Sequence, residues 1–399
     1  MAKIITDENK IKKILTRGVE DVIVKEHLEA QLKSGKELRI KFGIDPTTPD
    51  IHLGHSIPFR KLKQFQDLGH KIILIIGDFT AMIGDPSGRS ETRKQLTKKE
   101  IKNNLKNYLS QAGKIINIKK TEIHYNSKWF SKNADSILEL SRIGSIQQVL
   151  HRADFQKRIS EGKDITLLEV FYPLFQGYDS FKIKSDIEIG GTDQRFNLLM
   201  GRQIQKHYNM PEQDIITLPL IEGTDGIRKM SKSYGNYIGI NEQPNNMFGK
   251  IMSIPDNLII KYFLLCADLP EIDIEAIGNN MKSGKLNPRD AKLNLAFEIV
   301  SIYHGEKKAQ KAKDEFIRVF SKKELPKKID ELKIQKGRIG IVDLLLECGA
   351  VKSKGEAKRL IEQKGVKLNN EVIGSWGAEI TLDGGEILQI GKRKFIRIG

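Results

Sequence analysis

The apolar positions of the first half of the chain fall in two kinds of pattern. Residues 38–43 (LRIKFG) and 71–77 (KIILIIG) are short apolar runs that stop at a glycine, as expected of strands in a buried parallel sheet. Residues 55–68 between them have apolar side chains at helical spacing, and Gly69 is suited to end that helix. Strand, turn, helix and strand in this order predict a βαβ unit and therefore an α/β fold with a parallel sheet.

The pattern changes further along the chain. Residues 115–165 do not continue the regular alternation and are predicted to be an insertion, whereas residues 216–222 are predicted to hold the last strand of the sheet. Amphipathic helices follow, for example in residues 255–266 and 289–300. A charged linker is predicted at residues 322–329, and a small unit of helices and strands ends the chain.

Composition narrows the class of protein only in part. The chain has 399 residues, enough for two or three domains of about 150 residues each. Its formal net charge is +16. Such a basic protein often binds a polyanion, because lysine and arginine displace counterions from phosphates, but a compositional bias toward surface lysine explains the charge equally well.

Cysteine usage and the N-terminus bear on the compartment. Cys266 and Cys348 are the two cysteines and form no CxxC, which excludes a disulfide scaffold and a cysteine-type zinc site and fits a reducing compartment. Residues 72–76 are too few to span a bilayer, and the first ten residues lack the apolar core of a signal peptide. We therefore expect a cytoplasmic protein with no membrane partner.

His52 and His55 lie three residues apart just after a proline-containing turn. Such a pair can bind a metal, transfer a proton, contact a phosphate or simply cap a helix. No third metal ligand lies nearby, which argues against zinc, and the chain has neither a P-loop nor a G-x-G-x-x-G fingerprint. Gly43 and Gly54 flank this first strand-to-helix turn, where a helix N-terminus can bind an anion. Phosphate binding and helix capping remain equally open.

A second motif, residues 229–233 (KMSKS), follows the last predicted strand on a glycine-flanked loop. Lys229 and Lys232, three residues apart among hydroxyl side chains, would form a mobile cationic clamp suited to a triphosphate whose pyrophosphate leaves. An ordinary solvated lysine turn is the alternative.

Taken together, HLGH at residues 52–55 and KMSKS at residues 229–233 resemble the two signature motifs of class I aminoacyl-tRNA synthetases. Residues 84–93 (GDPSGRSETR), 171–179 (FYPLFQGYD) and 189–194 (IGGTDQ) are similar to the tyrosyl-tRNA synthetases, in the same order. Residues 337–370 resemble the S4-type RNA-binding module that bacterial members carry. The resemblance extends over nearly the whole chain.

The resemblance implies three domains. Residues 1–225 would form a Rossmann-like parallel-sheet catalytic domain, with the insertion at 115–165 contributing the interface of a homodimer. Residues 226–330 would hold the KMSKS loop and an α-helical anticodon-binding domain, and residues 335–399 a small α+β S4-like RNA-binding domain.

The implied reaction joins L-tyrosine to its tRNA. The tyrosine carboxylate attacks the α-phosphate of ATP, pyrophosphate leaves, and the tyrosyl group passes to the 3′ end of tRNA(Tyr). Catalysis would consist of positioning and charge stabilisation, without a covalent enzyme intermediate. Mg²⁺ is implied with ATP, and no protein-held metal site is apparent in the sequence.

The resemblance also assigns roles by position, for each of which a surface or capping role is the alternative. Catalysis is assigned to His52, His55, Lys229, Lys232, Thr47, Arg89 and Arg93. Contacts to the nucleotide are assigned to Gly43, Asp45, Gly54, Gly191, Asp193, Lys232 and Ser233. Contacts to tyrosine are assigned to Lys41, Asp85, Tyr172, Gln176, Asp179 and Gln194, with Asp179 accepting the phenolic hydroxyl. Contacts to RNA phosphates are assigned to Lys352, Lys354, Lys358 and Arg359.

Two departures from the family pattern stand out. Many members read L-Y-C-G before the D-P-T turn, whereas this chain reads I-K-F-G at residues 40–43, which suggests a second bacterial branch. Lys41 could contact the substrate hydroxyl, pair with Asp179 or point into solvent. Arg89 and Arg93 keep the charge of a loop in which lysine and arginine are usual, but not its shape.

Two rival functions remain. Tryptophanyl-tRNA synthetases share the fold and both motifs, but residues 176–179 (QGYD) and the S4-like end favour tyrosine. A regulatory RNA-binding protein built on an inactive synthetase is the second rival, and the intact HLGH and KMSKS motifs argue against it.

Overall fold

The chain forms two compact units in the computed structural model, Met1–Ala309 and Gln310–Gly399. The structure describes residues 3–87, 96–131, 134–321, 329–332, 334, 337–391 and 394–399. Arg89 and Arg93, and all but the last residue of the predicted linker at 322–329, lie outside the described residues.

The first unit is built on a mostly parallel sheet. Its strands, as far as the described residues go, are β1 (Asp21–Ile23), β2 (Arg39–Ile44), β3 (Lys71–Ile76), β4 (Glu122–Tyr125), β5 (Ile187–Gly191) and β6 (Asp214–Leu218). They lie in the order β1-β6-β5-β2-β3-β4, and all neighbours run parallel except β1, which runs antiparallel to β6. The predicted α/β fold with a parallel sheet is confirmed.

Fourteen helices belong to the described part of this unit. They are α1 (Glu8–Thr16), α2 (Lys25–Lys33), α3 (Leu53–Asp67), α4 (Lys98–Ala112), α5 (Ser127–Phe130), α6 (Ala134–Ile143), α7 (Ile146–Leu150), α8 (Ala153–Ser160), α9 (Leu167–Ile183), α10 (Arg195–His207), α11 (Pro244–Met252), α12 (Ile259–Cys266), α13 (Glu271–Lys282) and α14 (Pro288–His304). Helices α11 to α14 therefore share a compact unit with the sheet, and the predicted boundary at residues 225–226 stays a prediction.

The predicted βαβ unit is formed by β2, α3 and β3. All the apolar residues of β3 are buried, as expected for a central strand covered on both faces. Gly69 follows α3 with φ +93°, and a Cβ there would lie 2.9 Å from the carbonyl oxygen of Lys3. Glycine is therefore required where the chain leaves α3 and turns back into the sheet.

The predicted insertion at residues 115–165 needs one correction. Its first part contains β4, which pairs in parallel with β3 at the edge of the main sheet. Residues 122–125 hide this strand because each of its side chains is only partly buried and its pattern is E-I-H-Y rather than an apolar run. Helices α5 to α8 follow β4 within this stretch.

The second unit has its own sheet and core. After α15 (Glu306–Ser321), which crosses the boundary between the units, its described elements are β7 (Asp330–Leu332), β8 (Gly337–Gly340), α16 (Ile341–Glu347), α17 (Lys354–Glu362), β9 (Val366–Leu368), β10 (Glu371–Val372), β11 (Glu379–Leu382), β12 (Ile387–Ile390) and β13 (Lys394–Ile398). Five strands pair in the order β10-β9-β12-β13-β7, and β11 pairs with β8. Since β7 precedes residue 335, this sheet begins before the predicted start of the terminal domain.

Candidate active site

A cavity of about 310 Å³ opens where the parallel strands end. It is lined by residues 42–45 at the end of β2, Gly77 after β3, residues 189–191 in β5, Leu218 at the end of β6 and residues 219–221 after it. The N-terminal turn of α3 and the loop at residues 229–233 complete the wall. The carboxyl ends of the strands are the usual ligand site of such a sheet.

The cavity collects most of the residues predicted for catalysis, nucleotide and tyrosine. Those in its wall are Gly43, Asp45, Thr47, His52, Gly54, His55, Asp85, Tyr172, Gln176, Asp179, Gly191, Asp193, Gln194, Lys229, Lys232 and Ser233. Lys41 is not in the wall, and Arg89 and Arg93 lie outside the described residues. Residues from distant parts of the sequence thus meet in one place.

The two histidines stack on each other at the start of α3. Their ring centroids are 3.7 Å apart, and a Cβ on Gly54 would lie 3.1 Å from the His52 ring. Burial, followed by the charges of His55 and Lys232, lowers the pKa of His52 well below its usual value, so its ring is neutral at neutral pH. Its buried Nδ1 has no hydrogen-bond partner among the described residues, which leaves a polar atom available to a ligand.

The two lysines of the KMSKS loop contact carboxylates from other elements. Lys229 Nζ lies 3.0 Å from Asp193 Oδ2, just after β5, and Lys232 pairs with Asp50 in the turn before α3. The loop therefore reaches two sides of the cavity and brings two cations to the same end as the histidines. Together these groups form an environment suited to an anion.

Asp179 is buried, and its partners Asn126 and Trp129 follow β4, whereas Asp193, the partner of Lys229, follows β5, three strands away in the sheet. Trp129 Nε1 donates a hydrogen bond to Asp179 Oδ1 at 2.8 Å, and Asn126 Nδ2 donates a longer one to Asp179 Oδ2 at 3.4 Å. Burial raises the pKa of Asp179 to about 7, although Lys41 and these two hydrogen bonds act to lower it. A buried acceptor aimed into a cavity can recognise a hydroxyl or N–H group of a ligand.

A chain of hydrogen bonds fixes the polar side chains along the cavity wall. Gln194 donates to Asp85 at 2.7 Å, and Asn197 donates to the side-chain oxygens of Gln194 and Gln176 at 3.2 Å and 3.0 Å. On the other side, the Tyr172 hydroxyl donates to Asp45 at 2.9 Å. These bonds set the orientation of groups that sequence alone places only approximately.

Lys41, predicted to contact the substrate, does not line the cavity in this structure. Lys41 is fully buried, and its ammonium contacts the carbonyl oxygen of Gln176, the hydroxyl of Ser180 and the carboxylate of Glu188, at 2.8 Å, 2.7 Å and 2.8 Å. Three contacts use all three donors of an ammonium group. Pairing with Asp179 and exposure to solvent are also excluded, because the partner is Glu188 from the neighbouring strand.

Sequence reasoning missed several side chains that hold the site together. Asn126 and Trp129 follow β4, and Thr80 follows β3 and donates to Asp45 at 2.7 Å. Asn197 in α10 is fully buried. Thr80 and Asn126 are polar residues just after strands, and that position is a signal that could have identified them. For Asn126 the signal was lost because β4 itself was not predicted. Nothing in the helical pattern distinguishes Asn197 from its neighbours.

No group of three His, Cys, Asp or Glu side chains able to hold a metal occurs in the part of the chain that the structure describes. Within the same part, no helix is long and apolar enough to cross a membrane.

The residues predicted to bind RNA lie on or beside α17 in the second unit. Lys352, Lys354 and Arg359 are exposed, and Lys358 lies 3.9 Å from the ring centroid of Trp376. The opposite face of α17 packs into the core of the unit through buried Ala357 and Ile361. The basic residues of this helix therefore lie away from the core of the unit.

Comparison with known proteins gives the family. The model of class I tRNA synthetases (W and Y) matches residues 33–321. The tyrosine–tRNA ligase of Thermotoga maritima is 51% identical over 98% of this chain and 98% of its own length. That of Carboxydothermus hydrogenoformans is 49% identical over 96% of each. The chain belongs to the tyrosyl-tRNA synthetase family. It is therefore an aminoacyl-tRNA synthetase, as the two motifs indicated.

Solved tyrosyl-tRNA synthetases share the fold. A C-terminally truncated mitochondrial enzyme of Aspergillus nidulans superposes with a TM-score of 0.64 at 22% identity, covering 79% of this chain and 95% of its own. The enzyme of Archaeoglobus fulgidus, solved with L-tyrosine, gives 0.62 at 21% identity and covers 77% of this chain and 100% of its own. At these identities the likeness concerns the fold alone.

Proposed function

We propose that the chain activates L-tyrosine with ATP to tyrosyl-adenylate and transfers the tyrosyl group to tRNA(Tyr). The observation that carries this proposal is one cavity whose wall holds a buried carboxylate, Asp179, together with two lysines and two histidines. An acceptor for a phenolic hydroxyl and a cationic environment for a triphosphate are what this reaction requires.

The cationic end would act on the phosphates. Lys229 and Lys232 would hold the pyrophosphate as negative charge builds on it, while His52, neutral at its lowered pKa, and His55 would donate hydrogen bonds. Thr47 and Ser233 lie in the same wall. Mg²⁺ would accompany ATP and share this charge neutralisation, and Arg89 and Arg93 are proposed to contribute further positive charge.

The remaining nucleotide contacts are proposed around β5 and the start of α3. Asp193 would accept hydrogen bonds from the ribose, so the nucleotide would compete with Lys229 for this carboxylate. Gly54 and Gly191 leave room for the nucleotide, since a Cβ on Gly191 would lie 2.7 Å from Asp193 Oδ1. Gly43 and Asp45 border the same space.

The other end would bind tyrosine. Asp179 would accept the phenolic hydroxyl, and Asp85, Tyr172 and Gln176 would bind the ammonium group. Gln194 would touch the carboxylate that attacks the α-phosphate. The hydrogen bonds linking Gln194, Asp85 and Gln176 through Asn197 support this assignment, because they hold the three groups in one fixed arrangement.

The amino acid is tested by ATP–pyrophosphate exchange with purified protein. Exchange that depends on tyrosine supports the proposal. Exchange with tryptophan instead would assign the rival specificity, and no exchange with either amino acid would contradict the proposed reaction.

His55→Ala is expected to lower the rate of tyrosyl-adenylate formation by about 100-fold and to change the Kd of tyrosine by less than about threefold. The reason is that His55 lies with the lysines at the cationic end, and its removal affects the transition state rather than tyrosine binding. Pre-steady-state kinetics measures both quantities. The reverse pattern, weak tyrosine binding with a normal rate, contradicts this role.

The second unit is proposed to bind tRNA. The exposed basic residues Lys352, Lys354 and Arg359, together with Lys358, support contacts with RNA phosphates. Exposed apolar residues in and around the insertion, among them Leu138, Ile146 and Leu167, support the proposed homodimer interface. A cytoplasmic location and membership of a second bacterial branch stay predictions from the sequence.

A chain ending at Ser321 is expected to keep tyrosine-dependent pyrophosphate exchange within about threefold and to lose at least about tenfold in kcat/KM for tRNA charging. The deletion begins before Asp330 because β7 pairs with β13 and would otherwise be left without its partner. Both reactions are measured on the same preparations. Charging that is unchanged in the shortened chain contradicts an RNA-binding role of the second unit.

A further inference from the structure

Lys41 and Glu188 form a buried ion pair within the main sheet. They lie opposite each other in the register of β2 and β5, with Nζ 2.8 Å from Oε1, and their side chains are 0% and 1% exposed. A buried charge without its partner is strongly unfavourable, so each residue depends on the other. The proposed reaction as described above uses neither group.

The pair is joined to the helix that carries the tyrosine end of the cavity. Lys41 donates to the carbonyl oxygen of Gln176 and to the hydroxyl of Ser180, and Glu188 accepts from the side chains of the same two residues at 3.2 Å and 2.9 Å. Asp179 lies between them in α9. The ion pair therefore fixes the segment of α9 that presents Gln176 and Asp179.

The same pair acts on Asp179 through its charges. Lys41 from β2 lowers the pKa of Asp179 and Glu188 from β5 raises it, against a background of burial that raises it to about 7. Trp129 and Asn126, from the segment after β4, donate the hydrogen bonds that also lower it. Near neutral pH the charge of Asp179 is therefore finely balanced.

We infer that Lys41 is a positioning residue that determines specificity: with Glu188 it holds the segment of α9 that presents Gln176, and it favours the charged form of Asp179 as the acceptor for the tyrosine hydroxyl. This inference rests on the proposed function. It replaces the direct substrate contact expected from the sequence, since the ammonium has no donor left for a ligand. Lys41 acts through Asp179 and touches no reacting atom.

The test compares wild type with Lys41→Met and Glu188→Gln. Tyrosine-dependent pyrophosphate exchange is measured from about pH 5.5 to 8.5, and log kcat/KM is plotted against pH. Without Lys41 the carboxylate form of Asp179 is reached only at higher pH, so the inflection should rise by at least about one pH unit. In Glu188→Gln the negative charge that raises the pKa of Asp179 is gone, while the amide still offers Lys41 a hydrogen-bond acceptor, so the inflection should fall.

Near pH 7, Lys41→Met should raise the KM for tyrosine by about tenfold and leave kcat within about threefold. The double variant Lys41→Met/Glu188→Met leaves no unpaired buried charge, and its inflection should rise less than that of Lys41→Met alone. If Lys41→Met does not fold, Glu188→Gln and the double variant still give shifts of opposite sign.

If the ion pair between Lys41 and Glu188 had only a structural role, the two single variants would give a different result. Both single variants would then loosen α9 and raise KM without moving the inflection, or would move it in the same direction, and either result overturns the inference. Wild-type protein that shows no exchange with tyrosine overturns the proposed function instead, so the two failures are distinguishable.

Discussion

Replacing Asp179 with asparagine is expected to lower kcat/KM for tyrosine by about 100-fold or more and to leave the much lower value for phenylalanine within about threefold. Asp179 is buried and already receives hydrogen bonds from Trp129 and Asn126. An asparagine of the same shape can keep the bond from Trp129 but no longer offers a charged acceptor to the phenolic hydroxyl. Selectivity against phenylalanine should therefore collapse.

The size of this selectivity follows from the cost of an unpaired polar group. When phenylalanine enters a site built to bind a hydroxyl, a buried carboxylate is left without its partner. Tyrosyl-tRNA synthetases are themselves the standard example of this effect, so the size of the selectivity is already known for the family. Pyrophosphate exchange with each amino acid measures it. Asp67→Asn, an exposed carboxylate at the end of α3, is the matched control and should behave as wild type.

An Asp179→Asn variant that still discriminates tyrosine from phenylalanine as well as wild type does would contradict the assignment of Asp179 to the hydroxyl. Recognition would then have to come from another group in the cavity wall.

Removing both lysines of the KMSKS loop, in Lys229→Ala/Lys232→Ala, is expected to lower kcat of pyrophosphate exchange by about 1,000-fold and to change the KM for tyrosine by less than about threefold. The two ammonium groups line the cavity and contact Asp193 and Asp50, whereas Asp179 contacts Asn126 and Trp129. Loss of the two lysines should therefore raise the barrier for expelling pyrophosphate without disturbing the tyrosine end.

Two comparisons sharpen this prediction. Lys232→Arg keeps the charge and should recover part of the rate, whereas Lys285→Ala removes an exposed lysine between α13 and α14 and should have no effect on exchange. A double variant whose defect lies in the KM for tyrosine, with kcat intact, would contradict a role for these lysines at the pyrophosphate.

The spacing of apolar residues was sufficient to predict the helices and strands that are buried on both faces or bounded by glycine. Strand β3, helix α3 and the turn at Gly69 follow from local pattern alone, because an apolar run, helical spacing and a positive φ each depend on few neighbours. Strand β4 was missed for the opposite reason. It lies at the edge of the sheet, so burial imposes little pattern on it.

The motifs HLGH and KMSKS were sufficient to indicate the family, because they are short and local and their order along the chain can be read without coordinates. The sequence by itself also determined the parallel sheet. The partner of Lys41, in contrast, follows from the tertiary structure alone. A lysine in an apolar strand has no partner in its own segment, and only the register of β2 beside β5 brings Glu188 to 2.8 Å from it. A buried charge needs a partner of opposite charge, and that partner can come from a strand distant in sequence. The local sequence around a lysine therefore does not show where its partner lies.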